Sequence, residues 1–171
     1  MNKYTITQEY LKKLLNYDAE SGVFTWIHSN SNRSPIGSVA GTIRKEKPYV
    51  IICIDRQFFY AHRLAWLYVY GSLPNGMLDH IDGNHFNNRI SNLRLATYSQ
   101  NEINKPVRKG TKSGFKGVWK SNQKWCAYIG TGQERKRLGL FNTPEEAAKA
   151  YREAAEKMHG EFMHGSLRET V

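Results

Sequence analysis

Cysteine is nearly missing from this 171-residue chain: there are two, Cys53 and Cys126. They stand far apart and form no C-x-x-C pair. That excludes a cysteine-built zinc site by count, so no structural zinc is expected, and it leaves no disulfide framework. Both read as small buried hydrophobes. Long apolar runs are missing as well. No stretch approaches the roughly 18 residues of a membrane span, and the opening "MNKYTITQEYLKK" lacks the apolar centre of a secretory leader. No membrane partner is expected, and the expected compartment is the cytoplasm. There is no internal repeat and no low-complexity tract. Acidic side chains are scarce in one place: residues 105–143 hold ten Lys and Arg against Glu134 alone.

The balance of what remains is that of a folded protein. Hydrophobic residues make up 40% and charged residues 23%, too apolar for a disordered chain. The formal net charge is +10. Residues 105–143 contribute +9 of it, ten basic minus one acidic. A basic segment with interleaved aromatics suits a polyanion, and nucleic acid better than a lipid surface.

The elements read as follows. "YTITQEYLKKLLN" (4–16) is a short amphipathic helix with Tyr10, Leu11, Leu14 and Leu15 on one face. A turn at Glu20–Gly22 precedes an aromatic strand. "SVAGTIRKEKPYVIICID" and "QFFYAH" give two or three β-rich stretches around turns at Lys45–Lys47 and Asp55–Gln57. "YAHRLAWLYVYG" is a buried helix stopped by Gly71. "NKPVRKGTKSG" (104–114) has linker composition. After it, "FKGVWKS", "KWCAYIG" and "RKRLGLF" are three short strands. In the second, Trp125, Ala127 and Ile129 share one face and Lys124, Cys126 and Tyr128 the other. In the third, Leu138 and Leu140 oppose Arg135, Arg137 and Gly139. "TPEEAAKAYREAAEKMHG" is a helix with Thr143 as N-cap, Pro144 at its first position, Glu146 completing a capping box and Gly160 as its stop. Ala147, Ala148, Tyr151, Ala155 and Met158 line one face, and Trp125 packs beneath.

The densest chemistry lies in "LDHIDGNHFNNRISNLRLATYSQNEIN" (78–104), which holds six of the thirteen asparagines, two aspartates and two histidines. Strand, loop, strand, helix, with Ser99 as the helix cap, brings Asp79, His80 and Asn101 together. A carboxylate and an amide oxygen suit a hard ion, Mg²⁺ or Mn²⁺. A neutral imidazole beside them can take a proton from water at neutral pH. The substrate suited to both is a phosphodiester. Arg94 reads either as a phosphate contact or as a surface residue. His85 reads as a loop histidine, with phosphate contact as the sharper option. His62 and Arg63 read as packing and positioning residues, and His28, His159 and His164 as surface or structural.

The order Asp-His, eleven residues, Asn, eight residues, Asn in this stretch resembles the HNH nuclease motif and its ββα-metal fold. The resemblance implies that His80 is the general base, that Asp79 and Asn101 bind the single metal ion, and that Asn92 holds the loop by bonding backbone. Many family members have His where this chain has Asn101, a departure shared with phage-type members that bears on metal preference.

Residues 114–162 resemble a second family, the DNA-binding domain of plant ethylene-response factors. The matching stretches are "GFKGVWKSNQKWCAYI", "RLGLFNTPEEAAKAY" and "AAEKMHGEF". That resemblance implies a three-stranded sheet on one helix, with the sheet's other face in the major groove. It places Lys116, Trp119, Tyr128, Arg135 and Arg137 at or near DNA; charge adds Lys120 and Lys124. Tyr128 and Gly130 replace a Glu and an Arg of the plant pattern, so the plant base code does not transfer.

The expected fold class is α+β: a β-rich N-terminal region leading into the HNH fold (1–104), a basic linker (105–113), then a sheet-plus-helix domain (114–171). The expected function is that of a phage HNH homing endonuclease, active in the cytoplasm of an infected bacterium. It binds double-stranded DNA as a monomer, uses one Mg²⁺ or Mn²⁺ and nicks one strand. The alternative is a sequence-specific DNA-binding regulator with an inactive HNH remnant. An RNA-binding role ranks lower, because no RNP1-type stacking motif appears.

Overall fold

The computed structural model describes residues 6–29, 32–44, 47–107, 110–130 and 135–163. The turn expected at Lys45–Lys47 lies partly outside these residues and His164 wholly so. The chain is a mixed α and β structure with small sheets, and it divides into two compact units, Met1–Leu95 and Ala96–Val171. Among the described residues no helix is long and apolar enough to cross a membrane.

In the first unit, α1 (Gln8–Leu14) starts at Thr7, whose hydroxyl accepts from the Tyr10 N–H at 3.2 Å. The helix is shorter than its apolar pattern predicts. Leu15 takes extended backbone (φ −131°, ψ 139°) and opens β1 (Leu15–Asp18), paired antiparallel with β2 (Val23–Trp26). Leu15 satisfies both periods, since it follows Leu11 by one helical turn and precedes the buried Tyr17 by one strand repeat. The hairpin turn is held by Asp18, which accepts from the Glu20 N–H at 3.0 Å and the Ser21 hydroxyl at 2.6 Å. Gly22 follows in the left-handed region at φ +74°.

A three-stranded antiparallel sheet comes next: β3 (Thr42–Arg44), β4 (Lys47–Ile54) and β5 (Gln57–Tyr60). Asp55 and Arg56 join β4 to β5 at φ +49° and +63°, the signature of a two-residue type I′ hairpin. Cys53 faces solvent beside Phe58, which corrects its reading as a buried hydrophobe: the strand places it on the outer face. Helix α2 (Ala61–Tyr70) follows and ends at Gly71 in the left-handed region. Leu11, Leu15, Phe24, Ile52 and Leu64 form the centre of one core, each essentially inaccessible. Each such side chain stabilises the unit by about 1.5–3 kcal/mol on burial. Two further strands, β6 (Met77–His80) and β7 (Leu93–Ala96), pair with each other around the loop that carries the polar cluster.

In the second unit, α3 (Tyr98–Asn104) is capped by Thr97, with Gln100 completing the box. This corrects the expected cap at Ser99: Thr97 is the residue in extended conformation, and Ser99 is already helical. A second antiparallel sheet has the order β10–β9–β8, from β8 (Val118–Ser121), β9 (Lys124–Ile129) and β10 (Lys136–Phe141). Helix α4 (Pro144–His159) has the Thr143–Glu146 capping box, Pro144 in its first turn and Gly160 at its C-cap. Ala147, Ala148, Tyr151 and Ala155 are buried against the sheet. Met158 is 56% exposed and does not belong to that face; Met163 fills the position instead. A bulge between Arg137 and Gly139 inverts the alternation of β10. Leu138 therefore turns inward and Leu140 outward, not both to one face.

Candidate active site

Strand β6 ends on two buried polar side chains, Asp79 and His80, 4% and 3% exposed. Burying a carboxylate and an imidazole is costly unless each finds a partner. Both do. Arg94, on the paired strand β7, donates from Nε and Nη2 to Asp79 Oδ2 at 3.0 and 2.9 Å. His80 Nε2 lies 3.1 Å from Oδ1 of Asn88, itself 3% exposed. Asn88 Nδ2 donates to the Phe86 carbonyl, so its oxygen faces the histidine and accepts from an Nε2–H. That tautomer puts the basic lone pair on Nδ1.

The loop between the strands is closed by amides. Asp82 accepts from the Asn84 N–H at 2.8 Å, from Asn92 Nδ2 at 2.9 Å and from Asn87 Nδ2 at 2.7 Å. Asn92 also donates to the Asn87 carbonyl at 2.8 Å, and its own oxygen accepts from the Asp82 N–H at 3.1 Å. Burial pushes the Asp82 carboxyl up, but these donors outweigh it and hold the group below its usual range. Asn92 thus staples the loop ends through backbone and side-chain bonds.

A second layer holds Asn88. Tyr17 of β1 donates its hydroxyl to the Asn88 carbonyl at 2.7 Å. Burial pushes the Tyr17 phenol up to about 12, so it remains a donor at any physiological pH. Gly22, in the β1–β2 turn, lies so close to this backbone that a Cβ there would come within 2.4 Å of the Arg89 nitrogen. The hairpin and the polar loop are built against each other.

His80 is ringed by aromatic groups from distant parts of the unit. His62 of α2 meets it edge-on at 5.2 Å between centroids, His85 is at 5.5 Å and Tyr49 of β4 at 6.2 Å. Tyr49 and His85 are stacked at 4.6 Å, and Tyr60 stacks on His62 at 5.5 Å. Burial, then the neighbouring His80, drives the His62 pKa down to about 3. His80 is also lowered, chiefly by burial, although the bond to Asn88 opposes the shift. Both imidazoles are therefore neutral at physiological pH. Arg63, beside His62, donates to the Pro74 carbonyl at 3.0 Å and ties down the segment after α2.

Among the described residues no group of three or more His, Cys, Asp and Glu side chains converges as a metal site. The three histidine rings meet edge-on or tilted and do not form a converging ligand set. Asp82 is engaged by amides on both oxygens and Asp79 by Arg94 on Oδ2; of the two, Asp79 stands beside His80, and its carboxylate is the type of donor that suits a hard cation. A Mg²⁺ ion needs only one or two carboxylates and keeps several waters. Asn101, the other expected ligand, is half-buried on α3 in the second unit.

The residues expected at DNA divide. Trp119 and Tyr128 share one face of the second sheet, and Arg135 lies over both rings, 4.1 and 4.4 Å from their centroids. Arg137 pairs with Tyr128 across the strands and is exposed, as is Lys124. Lys120 lies opposite Trp125, on the helix side of the sheet, with its ammonium 5.9 Å from that ring. Lys116 has a different task from the one expected. Its ammonium donates to the carbonyls of Glu102 and Ile103 at 2.7 and 2.8 Å, and to that of Lys105, at the negative end of α3.

Asn88, Tyr17, Gly22 and Tyr49 were not singled out by sequence. Asn88 is one asparagine among six in its stretch, and nothing local marks it. His62 reads from sequence as a packing and positioning residue; its edge-on contact with His80 is what the fold adds.

Residues 59–103 match the HNH endonuclease family. The chain is 34% identical over 113 residues to Protein 3.8 of Escherichia phage T7, covering 63% of this chain and 93% of that protein. It is 39% identical over 104 residues to a protein of Acanthamoeba polyphaga mimivirus named as HNH endonuclease L560. That match covers 59% of this chain and 54% of the relative, so the chain spans about half the length of the mimivirus protein. It is 36% identical over 69 residues to YosQ of Bacillus subtilis (strain 168), a prophage-derived protein named for HNH homing endonucleases; this covers 40% of the chain and 39% of YosQ. No solved structure matches it.

Proposed function

The chain belongs to the HNH endonuclease family, and from that premise we propose that it is a metal-dependent DNA endonuclease in which His80 is the general base. The observation that carries the reading is the environment of His80. It is buried, it is held neutral by burial, and its Nε2–H is fixed on Asn88. A base must be unprotonated and oriented before it is useful, and the burial of His80 and its bond to Asn88 support both. In the reaction Nδ1 takes a proton from water, the water oxygen bonds to phosphorus, and a bridging P–O bond breaks. The proposed cofactor is one Mg²⁺ or Mn²⁺, which supplies charge stabilisation at the phosphoryl and leaving oxygens. Asp79 is its proposed carboxylate ligand; Asn101 enters on its place in the sequence motif alone.

The proposed substrate is double-stranded DNA, met in the cytoplasm of an infected bacterium. The Trp119–Arg135–Tyr128 stack, with Arg137 and Lys124, is the proposed anchor in the second unit. One HNH motif touches one scissile phosphate, so the proposed product is a nicked circle made by a homing-type, monomeric enzyme. One observation favours a second reading, a DNA-binding regulator with an inactive HNH remnant: Asp79 already carries Arg94.

The test is incubation with supercoiled plasmid carrying the target, with Mg²⁺ or Mn²⁺ and then with EDTA. Metal-dependent conversion to nicked circle is expected. His80→Ala should slow it by roughly 10²–10⁴-fold with DNA affinity unchanged, the range for losing a general base. No cleavage with either ion would favour the regulator. Simultaneous cutting of both end-labelled strands, with a rate rising as the square of protein concentration, would reject the monomeric nickase.

A further inference from the structure

We propose that Arg94 and the divalent ion are alternative occupants of Asp79, so that metal uptake requires the guanidinium to leave. The inference rests on the reading of Asp79 as the ion's carboxylate ligand. Asp79 is 4% exposed, and a buried carboxylate does not stand ionised without a cation beside it. Arg94 meets that need with two nitrogens on the single oxygen Oδ2, at 3.0 and 2.9 Å. A divalent cation at the same carboxylate would lie within a few ångströms of the guanidinium in a poorly solvated site, where like charges repel strongly. Lysine or histidine could relieve the repulsion by losing a proton. Arginine cannot, because it stays charged at every accessible pH. Its only relief is to move.

No neighbouring carboxylate offers the ion another seat in this loop. Both oxygens of Asp82 already accept from Asn84, Asn87 and Asn92. The exchange is thus confined to Asp79. It has a consequence for the reaction: the displaced guanidinium, still on β7 beside the site, becomes a charged bidentate donor for a backbone phosphate. Metal and phosphate then assist each other, since each draws one member of the ion pair away. The protein alone holds metal weakly, and the Arg94–Asp79 pair is its resting form, not the mark of a dead site.

The experiment is a Mn²⁺ titration of the full chain without DNA, read by the EPR signal of the free ion, for wild type, Arg94→Gln and Asp79→Ala. Arg94→Gln should bind Mn²⁺ about 5–150-fold more tightly than wild type, the usual span of coupling between two ligands. Equal or weaker binding by a folded Arg94→Gln, with binding lost in Asp79→Ala, would overturn the exchange and leave Asp79 as the ligand. Wild-type binding by Asp79→Ala would instead remove the premise. A measurement on wild type keeps the inference falsifiable if Arg94→Gln fails to fold. The Arg94 Nε–H resonance, held on Asp79, should move as Mg²⁺ is added; an unmoved resonance while the Asp79 and His80 amides respond would reject the exchange.

Discussion

The polar loop of the first unit and the aromatic face of the second use similar residue types in opposite ways. In the loop, Asp79, His80, Asn88 and Asn92 are all buried, and each has a defined partner. On the sheet, Trp119 is 47% exposed and Arg135 lies over it in the open. On the proposed reading, the loop is closed because a base and a metal ligand have to be held to a fraction of an ångström. The face is open, as the proposed phosphate contact requires, and stacking on two rings holds the Arg135 guanidinium. The proposed chemistry sits where polar groups are expensive to bury, and the proposed recognition where they are cheap to expose.

Acid should break the closed region first. His62 titrates at about 3 in the folded chain against an ordinary 6.5, so its folded pKa is depressed. Such a group contributes stability above pH 6.5 and loses it as pH falls from 6.5 towards 3, by about 1.4 kcal/mol for each pH unit. The melting temperature of wild type should fall across that window. His62→Phe, which cannot charge, should flatten the fall. Parallel pH profiles would show that His62 is not buried neutral.

A smaller effect is expected from Asn88→Ala. It leaves His80 in place but removes the acceptor that fixes its tautomer. The loss of a partner that orients a site residue is worth roughly 10–100-fold in rate. Cleavage should fall by about that factor with DNA affinity unchanged, as checked by single-turnover rates and a binding isotherm. An unchanged rate would separate Asn88 from the chemistry.

The smallest effect belongs to the open region. Arg135→Ala should weaken binding and reduce the slope of log K against log salt by about 0.9, one phosphate contact. The cleavage rate on fully bound DNA should not change. A slope identical to wild type would show that the Trp119–Arg135–Tyr128 stack is not a phosphate anchor.

Much of this architecture is legible in the sequence where the causes are local. The Thr143–Glu146 box, Pro144, Gly160 and the stop at Gly71 act over one helical turn, and the structure has each. Asp79, His80 and Asn92 were legible as a spaced motif. What escaped depends on contacts across the fold. Leu15 fits a helix and a strand equally well, and only pairing with Trp26 decides. A bulge in β10 cannot be seen in alternation alone. Lys116 was assigned to DNA through the resemblance of 114–162, but it donates to the carbonyls at the end of α3. Asn88 matters because a tyrosine 71 residues away and a glycine turn press it against His80.

The proposed role of His80 requires a neutral imidazole with its proton on Nε2 and its lone pair on Nδ1. Nitrogen-15 NMR of the imidazole side chains in the free protein, followed through a pH titration, reads both properties at once. The predicted result is the Nε2–H tautomer of His80 at pH 7, with protonation only below the ordinary histidine value. An Nδ1–H tautomer, or a His80 that protonates at or above pH 6.5, would contradict it.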